Sequence, residues 1–141
     1  MDSIVQNVVT ALTDMGIETA ATQVPDSDGK AWLVQANSVI MMVAVIDGSD
    51  LPALRLTCPI LYMPVTELLP FYRRMLDINQ KLVHAAFAMD RDIVCVISQQ
   101  ALKGVDPDTI RTLIQQSLKN ADSLGDVLVR EFPTARYWNP M

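Results

Sequence analysis

The single histidine, His84, and the two cysteines, Cys58 and Cys95, are the residues of this chain that could act as a base or a nucleophile. A Ser-His-Asp or Cys-His site would have to use His84, which follows a predicted helix among apolar residues. One histidine without a histidine or cysteine beside it cannot form an ordinary zinc site. We therefore expect His84 to be a partly buried structural or dimer-contact residue, and the cysteines to be reduced core thiols.

Acidic pairs occur in the chain, but turns and helix starts account for them. Asp26-Ser27-Asp28-Gly29 is similar to the beginning of a calcium loop, yet Gln35 stands where the bidentate glutamate would have to be. The glycines stand alone, so neither a GxGxxG motif nor a P-loop is present to bind a nucleotide. We therefore predict no catalytic residues, no metal and no cofactor, and a protein that is not an enzyme.

The composition restricts the classes of partner. The chain has 141 residues, a net charge of −5 and 50% hydrophobic residues. Because an acidic protein is repelled by phosphate backbones and anionic lipids, we expect neither nucleic acid nor a membrane as a partner. The longest apolar stretch, Val39 to Ile46, is too short to span a bilayer, and the N-terminus lacks a signal-peptide pattern. We expect a cytoplasmic protein whose surplus apolar surface contacts another protein.

The order of the predicted elements is the strongest structural signal. Apolar residues at helical spacing predict a first helix that ends at Gly16. A last helix is predicted to begin at the cap Asp106, with Pro107 in its first position, and to stop at Pro133. Between them the chain predicts three strands, a second helix and a two-stranded hairpin. We expect an α+β fold in the order α-βββ-α-ββ-α, with one domain over residues 1–133 and a C-terminal tail, 134–141.

Two strands of this prediction have unusual sequences. Val39 to Ile46 is apolar on both alternating faces, which is typical of a central strand covered on both sides. Two helices can cover one sheet face, so a second subunit or a client peptide is expected on the other. The third strand, about residues 53 to 63, contains Pro59, which cannot donate a ladder hydrogen bond. It is therefore predicted to be an edge strand or to be broken there. Asn37-Ser38 and Asp47 to Asp50 are predicted turns.

The chain resembles the YbjN-like family, whose domain is similar to the class I type III secretion chaperones with the Tir chaperone-like fold. The resemblance depends on the element order, on the segment from Leu69 to Asn79 that leads into Ala86 to Asp90, and on the Val105-Asp106-Pro107 start of the last helix. It implies a homodimer with a mostly antiparallel sheet and helices packed on it. It also implies the binding of extended protein segments on apolar surface, or a regulatory role.

We therefore predict a non-enzymatic, dimeric protein-binding module, chaperone-like or regulatory, with an unknown protein client. The eight methionines of the chain either fill an irregular core or line an adaptable binding surface. The residues expected to form the dimer contact are Phe71, Tyr72, Met75 and Leu76, and those expected to bind the partner are Val39, Met41, Val43 and Val45. The alternative is a small-ligand-sensing regulatory domain with a pocket between the sheet and the last helix, near Trp32 and Cys95.

Overall fold

The computed structural model describes residues 2–36, 39–47 and 51–137. The predicted turn at Asn37-Ser38, most of the turn that ends at Asp50, and the end of the tail, 138–141, lie outside the described residues. In chain order the elements are α1 (Asp2–Asp14), α2 (Thr19–Thr22), β1 (Ala31–Ala36), β2 (Val39–Ile46), β3 (Ala53–Tyr62), α3 (Leu68–Asn79), β4 (Ala85–Asp90), β5 (Ile93–Ala101) and α4 (Pro107–Glu131).

This order confirms the predicted α+β fold, with the four-residue helix α2 as an addition. The strands form one sheet in the order β1-β2-β3-β5-β4, and every neighbouring pair is antiparallel. β3 is therefore an inner strand, and the prediction of an edge strand is wrong. Pro59 is accommodated by a register shift between Pro59 and Leu61, and the ladder to β2 stops at Thr57. The missing N–H of Pro59 accounts for the register shift, which is the break that the sequence offered as the alternative to an edge strand.

Helix ends follow local sequence signals. Gly16 ends α1 with φ +81°, and the N–H of Ile17 donates to the carbonyl of Leu12 at 3.0 Å. At the start of α4 the carboxylate of Asp106 accepts a hydrogen bond from the N–H of Thr109 at 2.8 Å. This bond stabilises the charged form and lowers the pKa of Asp106. The predicted boundaries of the first and last helices depend on these two caps.

One face of the sheet is covered by α1, α3 and α4. Their buried side chains form one cluster with side chains from that face of the sheet. The largest fully buried members of this cluster include Leu12 of α1, Trp32 of β1, Met41 of β2, Phe71 of α3 and Ile110 of α4. The core of the protein is therefore a single layer between the helices and one side of the sheet.

The segment after α4 docks beside the end of β3. The N–H of Tyr62 donates to the carbonyl of Ala135 at 3.1 Å, and the N–H of Tyr137 donates to the carbonyl of Ile60 at 2.9 Å. The hydroxyl of Thr134 also donates to the carbonyl of Tyr62. Because the ladder between β2 and β3 stops before this point, the segment pairs with β3 backbone groups that lie beyond that ladder.

Arg136 holds this segment against α4. Its guanidinium donates to the carbonyl of Ile60 at 3.2 Å and to the carboxylates of Asp126 and Asp122 at 2.6 and 3.2 Å. The side chain passes over Gly125, where an added Cβ would lie 2.5 Å from Arg136 Nε. The close contact at Gly125 is therefore with a side chain, and α4 continues through this residue without a break.

We expect Gly125→Val to displace Arg136 and to lower the free energy of unfolding by about 1–3 kcal/mol. Ser123→Val, at an exposed position of the same helix, is the matched control for the helix propensity of valine. Urea unfolding of Gly125→Val, Arg136→Ala and their combination measures the coupling between the two residues. If Gly125→Val lowers the free energy of unfolding by as much in the Arg136→Ala background as in the wild type, the contact between Gly125 and Arg136 is contradicted.

Candidate binding surfaces

The predicted partner-binding residues lie on the helix-covered face of β2. They are at most 6% exposed and belong to the core cluster: Val39, Met41, Val43 and Val45. In the register of the sheet, Trp32 is opposite Val43 and Val34 is opposite Met41, and both are also in the core. The side chains of the helices occupy the space that a partner would need. The prediction of a partner surface at these four residues is therefore corrected by the structure.

The other side of the sheet carries a second apolar surface, which we call the open face. Met42, whose side chain alternates with Met41, is 39% exposed there. Ile40 and Cys95 are buried by their neighbours on this face but do not belong to the core cluster. The apolar residues of the open face in the strands include Leu33, Ile40, Met42, Ala44, Ile46, Pro59, Ala88, Ile93, Cys95 and Ile97. Helices cover β2 on one side only in the part of the chain that the structure describes.

A groove of about 200 Å³ lies on the open face. It crosses the sheet from Leu33 of β1 to Asp90 of β4, and Tyr137 of the docked C-terminal segment forms one of its walls. The ring of Tyr137 packs on Tyr62 with a centroid distance of 5.7 Å. The docking of the C-terminal segment on β3 therefore also shapes the apolar groove.

Helix α3 has two apolar sides. Phe71, Met75 and Ile78 are buried, and the ring of Phe71 packs edge-on against Phe132 at 5.1 Å. The exposed side carries an apolar stripe, which we call the α3 stripe, formed by Leu68, Leu69, Tyr72 and Leu76. Two of the four predicted dimer-contact residues, Tyr72 and Leu76, thus lie on the surface, where they are 42% and 66% exposed. Phe71 is a core residue and cannot contact a second subunit.

Met75 forms part of a groove between α3 and the edge strand β4. The groove has a volume of about 290 Å³ and is lined by Tyr72, Met75, Leu76, Asn79, Phe87, Ala88 and Met89. Asn79 ties the end of α3 to this strand, because its side-chain oxygen accepts a hydrogen bond from the N–H of Phe87 at 2.9 Å. The exposed part of the predicted dimer contact is therefore continuous with an apolar groove at the edge of the sheet.

The two cysteines lie on opposite sides of the sheet, Cys58 in the core and Cys95 on the open face. Both are free, and a disulfide would require their side chains to face each other. Burial raises the pKa of the Cys58 thiol to about 12 and also raises that of Cys95, so both are protonated at neutral pH and are weak nucleophiles. Because Trp32 is in the core, Trp32 and Cys95 do not line a common pocket, as the ligand-sensing alternative required.

His84 lies in the connection between α3 and β4 and is exposed, so the prediction of a partly buried histidine is wrong. Its backbone adopts the left-handed conformation with φ 58°.

Within the described residues, no group of three or more histidine, cysteine, aspartate or glutamate side chains could hold a metal ion. Over the same residues, no helix has the length and apolarity required to cross a membrane.

The sequence from residue 5 to residue 130 matches the YbjN family, which is described as "Putative bacterial sensory transduction regulator". The chain belongs to the YbjN family. The structure of this YbjN-family chain is similar to that of SycH, a type III secretion chaperone of Yersinia pestis crystallised in complex with a stable fragment of YscM2. The TM-score is 0.56 at 12% identity, over 84% of this chain and 96% of SycH. These findings confirm the family resemblance and the chaperone-like fold.

No curated protein matches the chain.

The sequence analysis did not select the open-face residues of this YbjN-family protein as a binding site, although their apolar pattern was visible in the sequence. Ile40, Met42, Ala44 and Ile46 alternate with the residues that were selected, and both sets are apolar. Only the position of the helices distinguishes the two sets.

Proposed function

We propose that this YbjN-family protein is a non-enzymatic protein-binding module, chaperone-like or regulatory, that binds an extended apolar segment of a client protein on the open face. The observation that carries this proposal is that β2 is apolar on both sides, while the described helices cover only one of them. Contiguous apolar surface of this kind marks interaction sites, because its burial is worth about 25 cal/mol per Å².

The shape of the open-face groove supports a protein segment as its occupant. The groove crosses all five strands, so it offers a line of apolar contacts across the width of the sheet. Asp90 is the charged residue of its lining, so a client segment with a basic residue beside its apolar ones would complement it. SycH, which has the same fold, is in complex with a protein fragment, and this also supports a protein client.

We expect Met42→Asp to weaken client binding at least about tenfold, because a carboxylate would have to be desolvated in the apolar contact. Leu51→Asp is the matched control, since Leu51 is 48% exposed against 39% for Met42 and lies in the connection between β2 and β3. Affinity capture from a lysate of the source cell supplies candidate clients. Each is then purified and titrated into the wild type and both variants.

Two outcomes of this titration contradict the open-face proposal. In one, a captured protein binds Met42→Asp as tightly as it binds the wild type. In the other, Leu51→Asp weakens binding as much as Met42→Asp does, which would mean that the added charge and not the open face controls binding. Amide hydrogen exchange of the complex locates the protected strands and distinguishes the two outcomes.

The α3 stripe supports a homodimer as the second part of the proposal. Leu69 and Leu76 are 82% and 66% exposed, and this stripe adjoins the groove at the edge strand β4. In an acidic chain, apolar side chains so exposed on a helix are more stable when a second copy covers them. A symmetric contact would pair the stripe with itself.

We expect Leu76→Asp to convert the dimer into a monomer of 15.6 kDa, measured by sedimentation equilibrium over a range of concentrations. The side chain is mostly exposed in one chain, so the fold and its circular dichroism should be unchanged. Val83→Asp, which introduces the same charge at an apolar position that is 76% exposed outside α3, should leave the dimer intact. A Leu76→Asp protein that sediments as the wild type would exclude the α3 stripe as the dimer contact.

A further inference from the structure

A groove lies between α4, strand β5 and the connection that leads from α3 to β4. Its volume is about 540 Å³, within the range of about 300–1,000 Å³ of small-molecule sites. It shares no lining residue with the open-face groove. The position corresponds to neither of the two protein-binding surfaces proposed above, so a ligand there would act independently of them.

The charges of this groove have one sign. Lys81 reaches it from the connection and Lys119 from α4, His84 lies beside them, and the lining includes no aspartate or glutamate. In a chain with a net charge of −5 this is an unusual concentration of cationic groups. The ion pairs of the described residues all use arginine, and neither lysine takes part in one. Two unpaired ammonium groups that border one groove favour an anion between them.

Hydrogen-bonding groups accompany these charges. Ser117 of α4 is 9% exposed, and its hydroxyl lies 3.3 Å from that of Ser98 on β5. Each hydroxyl can donate one hydrogen bond and accept others, so the pair can turn a donor toward a bound oxygen. The side-chain amide of Asn120 lines the same groove. His84 holds a left-handed backbone conformation, which is costly for a residue other than glycine and is often found at binding sites.

We propose that this groove binds a small organic anion. Its phosphate or carboxylate oxygens contact Lys81 and Lys119 and accept hydrogen bonds from Asn120 and from Ser98, whose own hydroxyl oxygen accepts from Ser117. Its carbon skeleton packs against Leu113 of α4, which lies on the same groove. The bound anion would join the last helix to the connection between α3 and β4.

Titration of the full-length protein with inorganic phosphate and with succinate, followed by two-dimensional NMR at constant ionic strength, tests this site. The wild type is expected to show saturable shifts at Ser98, Ser117 and Asn120 with at least one of the two probes. The double variant with Lys81→Glu and Lys119→Glu is expected to raise the dissociation constant at least about tenfold. The charge-matched control carries Lys30→Glu and Lys103→Glu, which lie outside the groove, and should change it less than about twofold.

The two probes distinguish the chemical class of the ligand. Saturation by phosphate alone indicates a phosphate-bearing ligand, and saturation by succinate alone indicates a dicarboxylate. The absence of saturable shifts with both probes would overturn the proposal. Equal weakening in the two double variants would also overturn it, because binding would then follow net charge and not this groove. Circular dichroism of both variants verifies that they are folded.

Discussion

Met41→Asp is expected to unfold the protein, whereas Met42→Asp, one residue further along β2, should leave it folded. The Met41 side chain is fully buried between the sheet and the helices, and Met42 is 39% exposed on the open face. An aspartate at position 41 would have to be desolvated among apolar side chains that offer it no partner. The expected cost is more than about 5 kcal/mol, comparable with the whole stability of a small domain.

Far-ultraviolet circular dichroism and urea unfolding of the two variants measure this difference. Met42→Asp should change the free energy of unfolding by less than about 1 kcal/mol, because its carboxylate remains in water. A Met41→Asp protein that is as stable as the wild type and has lost its client would contradict the assignment of the faces. It would restore the partner surface that the sequence suggested for Val39, Met41, Val43 and Val45.

Phe71→Ala should lower the free energy of unfolding by about 3–5 kcal/mol, the usual cost of removing a buried aromatic ring. Phe71 is fully buried and packs edge-on against Phe132, next to the end of α4. The neighbouring residue Tyr72 is 42% exposed, so Tyr72→Ala is the matched control and should cost much less. The ion pair between Arg74 and Glu131, at 2.8 Å, joins the same two helices but is too exposed to replace the lost packing.

Urea unfolding at a fixed protein concentration is the measurement, because the stability of a dimer depends on concentration. Sedimentation of the folded protein separates the two roles considered for this residue. A Phe71→Ala variant that keeps its stability and becomes monomeric would show that Phe71 is a dimer contact, as the sequence analysis expected. Loss of stability with no specific loss of dimer is the result that the structure predicts.

The parts of the fold that the sequence predicted correctly have local causes. Gly16 ends α1 and Asp106 caps α4 because each acts on backbone groups within one helical turn. The order of strands and helices follows from apolar periodicities of 2 and 3.6 residues, which also require no distant contact. The family resemblance, which depends on the same pattern, was confirmed for the same reason.

The errors concern choices that depend on distant parts of the chain. Pro59 is in an inner strand because β5 pairs with β3 from the other side, and nothing near Pro59 encodes that pairing. Phe71 and Leu76 are both apolar residues of one helix. Their different exposure depends on Phe132, which is 61 positions after Phe71 (132 − 71) and packs on only one of them.

The sequence by itself therefore determined the fold class, the family and the presence of more apolar surface than one core layer buries. Only the tertiary structure decided which surface remains available. β2 is apolar on both faces, and strand alternation separates two sets of residues without saying which set the helices cover. The docking of Arg136 over Gly125 and the position of Lys81 and Lys119 on one groove likewise bring distant segments together, which no local pattern encodes.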